Sequence, residues 1–220
     1  MTEARPEGVA RSGAGGGGPD LVVVAEAPAD PGAGLIARHR AGERGAFEAL
    51  VGHYRGSIYG FYRRNGLAPE VADDLFQDTF LRVHQHAASY APERPFRVWL
   101  FTIAHNLLRS HWRKRAVRRI LVDWWAGSPD DGRPLDPPDG GPSPADAAET
   151  GETLAWLEGA LGALAEGPRQ ALLLTQVEGL KLTEAADVLG VPVATVKTWV
   201  HRGRRDLALA RRARSGGSEA

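Results

Sequence analysis

Six prolines in one short stretch decide how this chain can fold. Between about Ala126 and Ala148 stand Pro129, Pro134, Pro137, Pro138, Pro142 and Pro144, each lacking the amide donor that a helix needs. Asp130, Asp131, Asp136, Asp139 and Asp146 lie among them with several glycines. Such a segment is an acidic, extended linker and no part of a core. What folds must therefore fold on either side of it, as two small units.

The flanking stretches read as helical. Phe47, Leu50, Val51, Tyr54, Ile58, Phe61 and Tyr62 recur every three or four residues, which gathers them on one helix face. Asn65-Gly66 suits a helix C-terminus, and Pro69 suits the first turn of the next helix. Val71, Leu75, Phe76, Thr79, Phe80 and Val83 form a second stripe. A third helix, opened by Pro95, carries Phe96, Trp99, Leu100, Ile103, Ala104 and Leu107. Beyond the linker, Leu154, Leu157, Leu161 and Leu164 make another stripe, and Ala171 to Leu174 begin one more. The expected fold is all-α: a first domain over 35–125, the linker over 126–148 and a second domain over 149–213. Residues 1–34, rich in Gly, Ala and Pro, are expected to form a disordered tail, with a short C-terminal tail over 214–220. The patch Leu21 to Val24 is either a docking segment or an incidental apolar cluster. Ile120, Leu121, Val122, Trp124 and Trp125 are too apolar for free solvent and pack back on the first domain or on a partner.

The strongest local pattern lies between Leu182 and Leu207. Thr183 can cap a short helix from Glu184 to Leu189, whose inner side is Ala185, Ala186 and Leu189. Gly190-Val191-Pro192 makes a tight turn, and a second helix follows from Val193 with Val196, Val200 and Leu207 facing inward. Lys197, Thr198, His201, Arg202 and Arg205 remain on the outer face. A short helix, a turn with glycine and a cationic second helix form the layout of a major-groove reader. Lys197, Thr198, His201 and Arg202 suit base edges, and Arg204, Arg205, Arg211 and Arg212 suit phosphates.

Charge is divided unevenly although Lys plus Arg and Asp plus Glu both total 27. Arg109, Arg113, Lys114, Arg115, Arg118 and Arg119 follow one another without an acidic residue, beside His111 and Trp112. Cations among aromatic rings suit single-stranded or distorted nucleic acid, because bases stack on rings while phosphates meet arginines. The second helix is acidic instead, with Glu70, Asp73, Asp74, Gln77 and Asp78 in its first half. A polar protein-binding face accounts for it better than catalysis does.

Three segments carry a family resemblance. Asp73 to Val83 (DDLFQDTFLRV), Phe96 to Asn106 (FRVWLFTIAHN) and Leu189 to Trp199 (LGVPVATVKTW) are similar, in that order and at that spacing, to motifs of the extracytoplasmic-function sigma factors of bacterial RNA polymerase. The resemblance runs from about Leu35 to Ala213. It implies that Asp74, Gln77, Asp78 and Arg82 grip core RNA polymerase. It implies that the third helix captures an unstacked base of the minus-ten element, with Asn106 at the base-contacting position and Arg109, Arg113, Lys114 and Arg115 holding the separated strand. Lys197, Thr198, His201, Arg202 and Arg205 would read the minus-thirty-five element. The linker would follow the polymerase's RNA path, and an anti-sigma factor is an expected further partner. The sequence departs from the family pattern at Ala185, Ala194 and Trp199; Trp199 either contacts a thymine methyl or covers the helix.

Several classes fall away. The absence of cysteine removes disulfides, thiolate metal sites and thiol redox chemistry. No apolar run approaches the roughly 20 residues that cross a bilayer. The N-terminus lacks a secretory pattern, so the chain is expected in the cytoplasm. No cofactor, metal, small-molecule substrate or enzymatic activity is expected. A nuclease built on Asp73, Asp74, Asp78, His84 and His86 is disfavoured because His84 and His86, two residues apart, do not share a helix face. The alternative is a helix-turn-helix regulator that binds duplex operator DNA without polymerase.

Overall fold

The computed structural model describes residues 30–126 and 150–216. The Leu21 patch and the proline-rich linker lie outside the described residues. In chain order the helices are α1 (Gly32–Arg40), α2 (Ala46–Arg64), α3 (Pro69–Gln85), α4 (Phe96–Ala126), α5 (Thr150–Gly162), α6 (Glu166–Leu172), α7 (Leu182–Leu189) and α8 (Val193–Gly216). Among the described residues there is no strand, in keeping with the all-α expectation.

In the first half, α1 to α4 pack around the faces that periodicity marked. Leu50, Tyr54, Ile58, Phe61 and Tyr62 of α2, Leu75, Phe80 and Val83 of α3, and Phe96, Leu100, Ala104 and Leu107 of α4 are buried. Val71, Phe76, Trp99 and Ile103 are half-buried against this core, and Trp99 stacks on Tyr90 and Phe96. Tyr62 joins three helices: its hydroxyl lies 2.7 Å from Thr79 Oγ1 of α3 and donates to the Ala104 carbonyl of α4 at 3.2 Å. Burial pushes its phenol well above the usual tyrosine range. At the end of α2, Gly66 takes the left-handed conformation at φ +82°, while Asn65 stays right-handed and its amide donates to the Phe61 carbonyl at 2.8 Å.

The tail boundary placed at residue 34 needs correction, because α1 begins at Gly32. Asp30 explains the order there. Its carboxylate accepts from the Gly32 amide, the Tyr54 hydroxyl and the Arg97 amide, so it caps both α1 and α4. Gly32 is required at this point because a Cβ would run into the rings of Phe96 and Tyr54. At the other end α4 continues to Ala126, so the Ile120 to Trp125 segment lies on this helix; how its side chains pack is outside the described residues.

The second half closes α6, α7 and α8 over Leu172, Leu173, Leu174, Leu180, Val188 and Val196. After α6 the chain makes one wide π turn over Leu173–Val177, where the Glu178 amide donates five residues back to the Leu173 carbonyl at 2.9 Å. Gly203 lets α8 approach α6, since a Cβ there would stand 2.6 Å from Leu172 Cδ1.

Candidate nucleic-acid interface

The helix-turn-helix is α7, a turn at Gly190 with φ +66°, and α8. Its start corrects one expectation. α7 begins at Leu182, and its capping contact runs from the Lys181 amide to the Glu184 carboxylate at 2.8 Å, with no side-chain cap from Thr183. A carboxylate at the third helical position reaching back to the preceding amide satisfies a donor that the helix leaves open. On α8, Val196 and Val200 are buried, and Lys197, Thr198, His201, Arg202 and Arg205 are exposed on the other side. The Thr198 hydroxyl donates to the Ala194 carbonyl at 3.0 Å, and Arg205 pairs with Asp206 at 3.1 Å. Trp199 packs inward on α6, where a Cβ on Gly167 would stand 2.7 Å from its ring. Of its two open roles, it covers the helix.

The residues assigned to the first half separate into two surfaces. Asp74, Gln77, Asp78 and Arg82 are exposed along α3, at the spacing that keeps them on one side. Asn106, Arg109, Arg113, Lys114 and Arg115 are exposed on α4. Trp112 is half-buried against the core, so its ring is only partly available for stacking. The side chains of Arg118 and Arg119 lie outside the described residues. Among the described residues no three His, Asp or Glu side chains gather as a metal cluster.

The two halves meet along a polar seam that sequence reasoning did not find. α4 of the first half runs beside α7 of the second. Glu178, 4% exposed, faces Arg97 at 3.3 Å and also Ser57 and Arg64, all three from the first half. Burial raises its carboxyl above the ordinary range, against the lowering pull of those neighbours. Arg169 reaches the other way: it donates to the Asn65 carbonyl at 3.1 Å and to Gly162 and Leu164 in its own half. A cleft of about 370 Å³ opens on the seam between His105 and Arg109 of α4 and Glu166, Gln170, Gly190 and Trp199 of the second half. His105 is buried, and desolvation, helped by Arg109, pushes its imidazole down to about 4.

Comparison with known proteins then decides the class. The model described as Sigma-70 region 2 matches residues 50–118, and the model described as Sigma-70, region 4 matches residues 154–207. The RNA polymerase sigma factor CnrH of Cupriavidus metallidurans is 32% identical over 182 residues, which cover 79% of this chain and 91% of that protein. The chain belongs to the extracytoplasmic-function sigma factors. SigW of Bacillus subtilis, named as a member of that class, is 31% identical over 78% of this chain and 92% of its own length. A solved structure of CnrH in complex with the cytosolic domain of CnrY superposes with a TM-score of 0.60 at 28% identity, covering 84% of this chain and 99% of that one. This sigma factor therefore acts with RNA polymerase in promoter recognition, and the match of both regions goes against an operator-binding regulator.

Proposed function

We propose that the two halves divide promoter recognition as their exposed faces suggest, α8 reading duplex and α4 holding melted strand. The exposed row Lys197, Thr198, His201 and Arg202 carries this reading, because it stands opposite the buried Val196 and Val200 on a helix preceded by a turn. Arginine can meet guanine through two parallel hydrogen bonds, and lysine and threonine reach bases or phosphates. On α4, Asn106 meets an unstacked base of the minus-ten element, and Arg109, Arg113, Lys114 and Arg115 track the strand's phosphates. Asp74, Gln77, Asp78 and Arg82 of α3 dock on core polymerase.

The chain performs no chemistry of its own in this reading; it acts in the cytoplasm as a specificity subunit without a cofactor. The linker follows the polymerase's RNA path as an acidic chain. An anti-sigma factor is a further partner by analogy with CnrH, whose solved complex contains the cytosolic domain of CnrY. The test is to mix the purified chain with core RNA polymerase, recover the promoters that the holoenzyme selects and transcribe from them. Binding with new start-site selection is expected. Absence of binding would overturn the reading.

A further inference from the structure

We propose that the seam between the halves is a latch that keeps the free sigma factor closed, with Glu178 as its bolt and Ser57, Arg64 and Arg97 as its socket. The inference rests on the sigma reading above and adds to it a resting state.

The chemistry of the seam argues for a joint that opens. Glu178 is a carboxylate that its own half leaves to be matched by groups of the other half. Arg169 makes the reciprocal insertion, on the carbonyl of Asn65 at the end of α2. Among the described residues, four buried side-chain polar atoms have no protein partner: Asn65 Oδ1, Arg97 Nε, His105 Nδ1 and Arg169 Nε. All four belong to residues that border this seam. Parting the halves returns each of them to water, which offsets much of the loss of the charged contacts. Permanent interfaces close on apolar surface, whereas a polar joint of this kind suits domains that move relative to one another.

The closed arrangement is also the wrong length for a promoter. Elements named minus ten and minus thirty-five lie about 25 base pairs apart, or about 85 Å along the duplex at 3.4 Å per step. A compact body of some 160 residues is about 40 Å across. The two readers cannot reach both elements while Glu178 sits in its socket. In addition, Arg109 of the strand-holding row borders the same cleft as Gly190 of the helix-turn-helix turn. The 23 residues between Ala126 and Thr150 reach at most about 80 Å when extended, enough to let the opened halves straddle the spacer.

The absence of cysteine makes the test direct. Glu48→Cys on α2 and Asp187→Cys on α7, both exposed, give unique sites for a spin-label pair in the full chain. The expected result is one narrow, short distance in the free protein, broadened to longer distances by core polymerase and, without polymerase, by Arg97→Ala. Circular dichroism checks that this variant keeps its helices. If the open state is populated at about 1–10%, Arg97→Ala raises the free chain's affinity for a holoenzyme-selected promoter duplex about 10- to 100-fold. A broad distribution in the unaltered free chain would overturn the latch. So would an Arg97→Ala chain that stays closed, or one that opens without gaining affinity. Failure of both chains to bind core polymerase would overturn the sigma reading instead, whatever the distances show.

Discussion

Replacing His105 by glutamine should remove a defined part of the protein's acid sensitivity. The ring is 5% exposed on α4, and its surroundings hold the proton affinity down to about 4. Unfolded histidine titrates near 6.5. Between those values the unfolded chain binds the extra proton, so stability is complete above about pH 6.5 and falls as the pH drops toward 4. The full difference in proton affinity corresponds to about 3 kcal/mol, of which about 2 kcal/mol disappears between pH 7 and pH 5. Glu178 works in the opposite direction, because its raised carboxyl takes up a proton more readily in the folded state. The raw pH dependence therefore mixes the two. Urea unfolding of the unaltered chain and of His105→Gln, followed by circular dichroism at pH 7 and pH 5, separates them. The stability gap between the two proteins should shrink by about 2 kcal/mol on going to pH 5. A gap that stays constant would refute the assignment of a buried neutral imidazole at this site.

Two further outcomes follow from contacts already described. Arg202→Ala should weaken promoter-specific binding by about 1–3 kcal/mol and relax preference at one position, whereas Arg205→Ala should weaken all duplexes alike and reduce the salt slope by about one; gel-shift titrations on matched and scrambled duplexes across salt concentrations distinguish them, and an unchanged preference in Arg202→Ala would remove that residue from base reading. Tyr62→Phe, which deletes the hydroxyl between Thr79 and Ala104, should cost about 1–2 kcal/mol in urea unfolding without altering the helix content.

The helices were legible because their signals are local. Three- and four-residue spacing marked the buried faces of α2, α3 and α4, and Gly190-Val191-Pro192 marked the turn before α8. Trp199 shows a signal that was present and unread: it stands three residues after Val196 and four before Gly203, on the side of α8 that packs against α6. The cap of α7 is similar, since Glu184 lies three residues after Lys181 and needed only to be tried as the acceptor. The remaining contacts had no local signature. Asp30 caps a helix whose second residue is 67 positions away, Arg97 meets Glu178 across 81 and Arg169 meets Asn65 across 104. Nothing in the spacing around Glu178 distinguishes it from a solvent-facing acid at the end of a helix. Its role depends on how two separately folded halves come to rest together.

The wide turn before Glu178 has a consequence for descent. A π turn holds one residue more than the α turn it replaces, and every residue of a helix advances the chain by about 100° of rotation. Deleting one residue between Leu173 and Val177 would restore the regular register and swing Glu178 about a quarter-turn away from Arg97. A single codon gained or lost at this point therefore separates a lineage whose halves are tied from one whose halves are not. Such a change is discrete and heritable, and it can be scored in any related sequence by counting residues from Pro168 to Gly190.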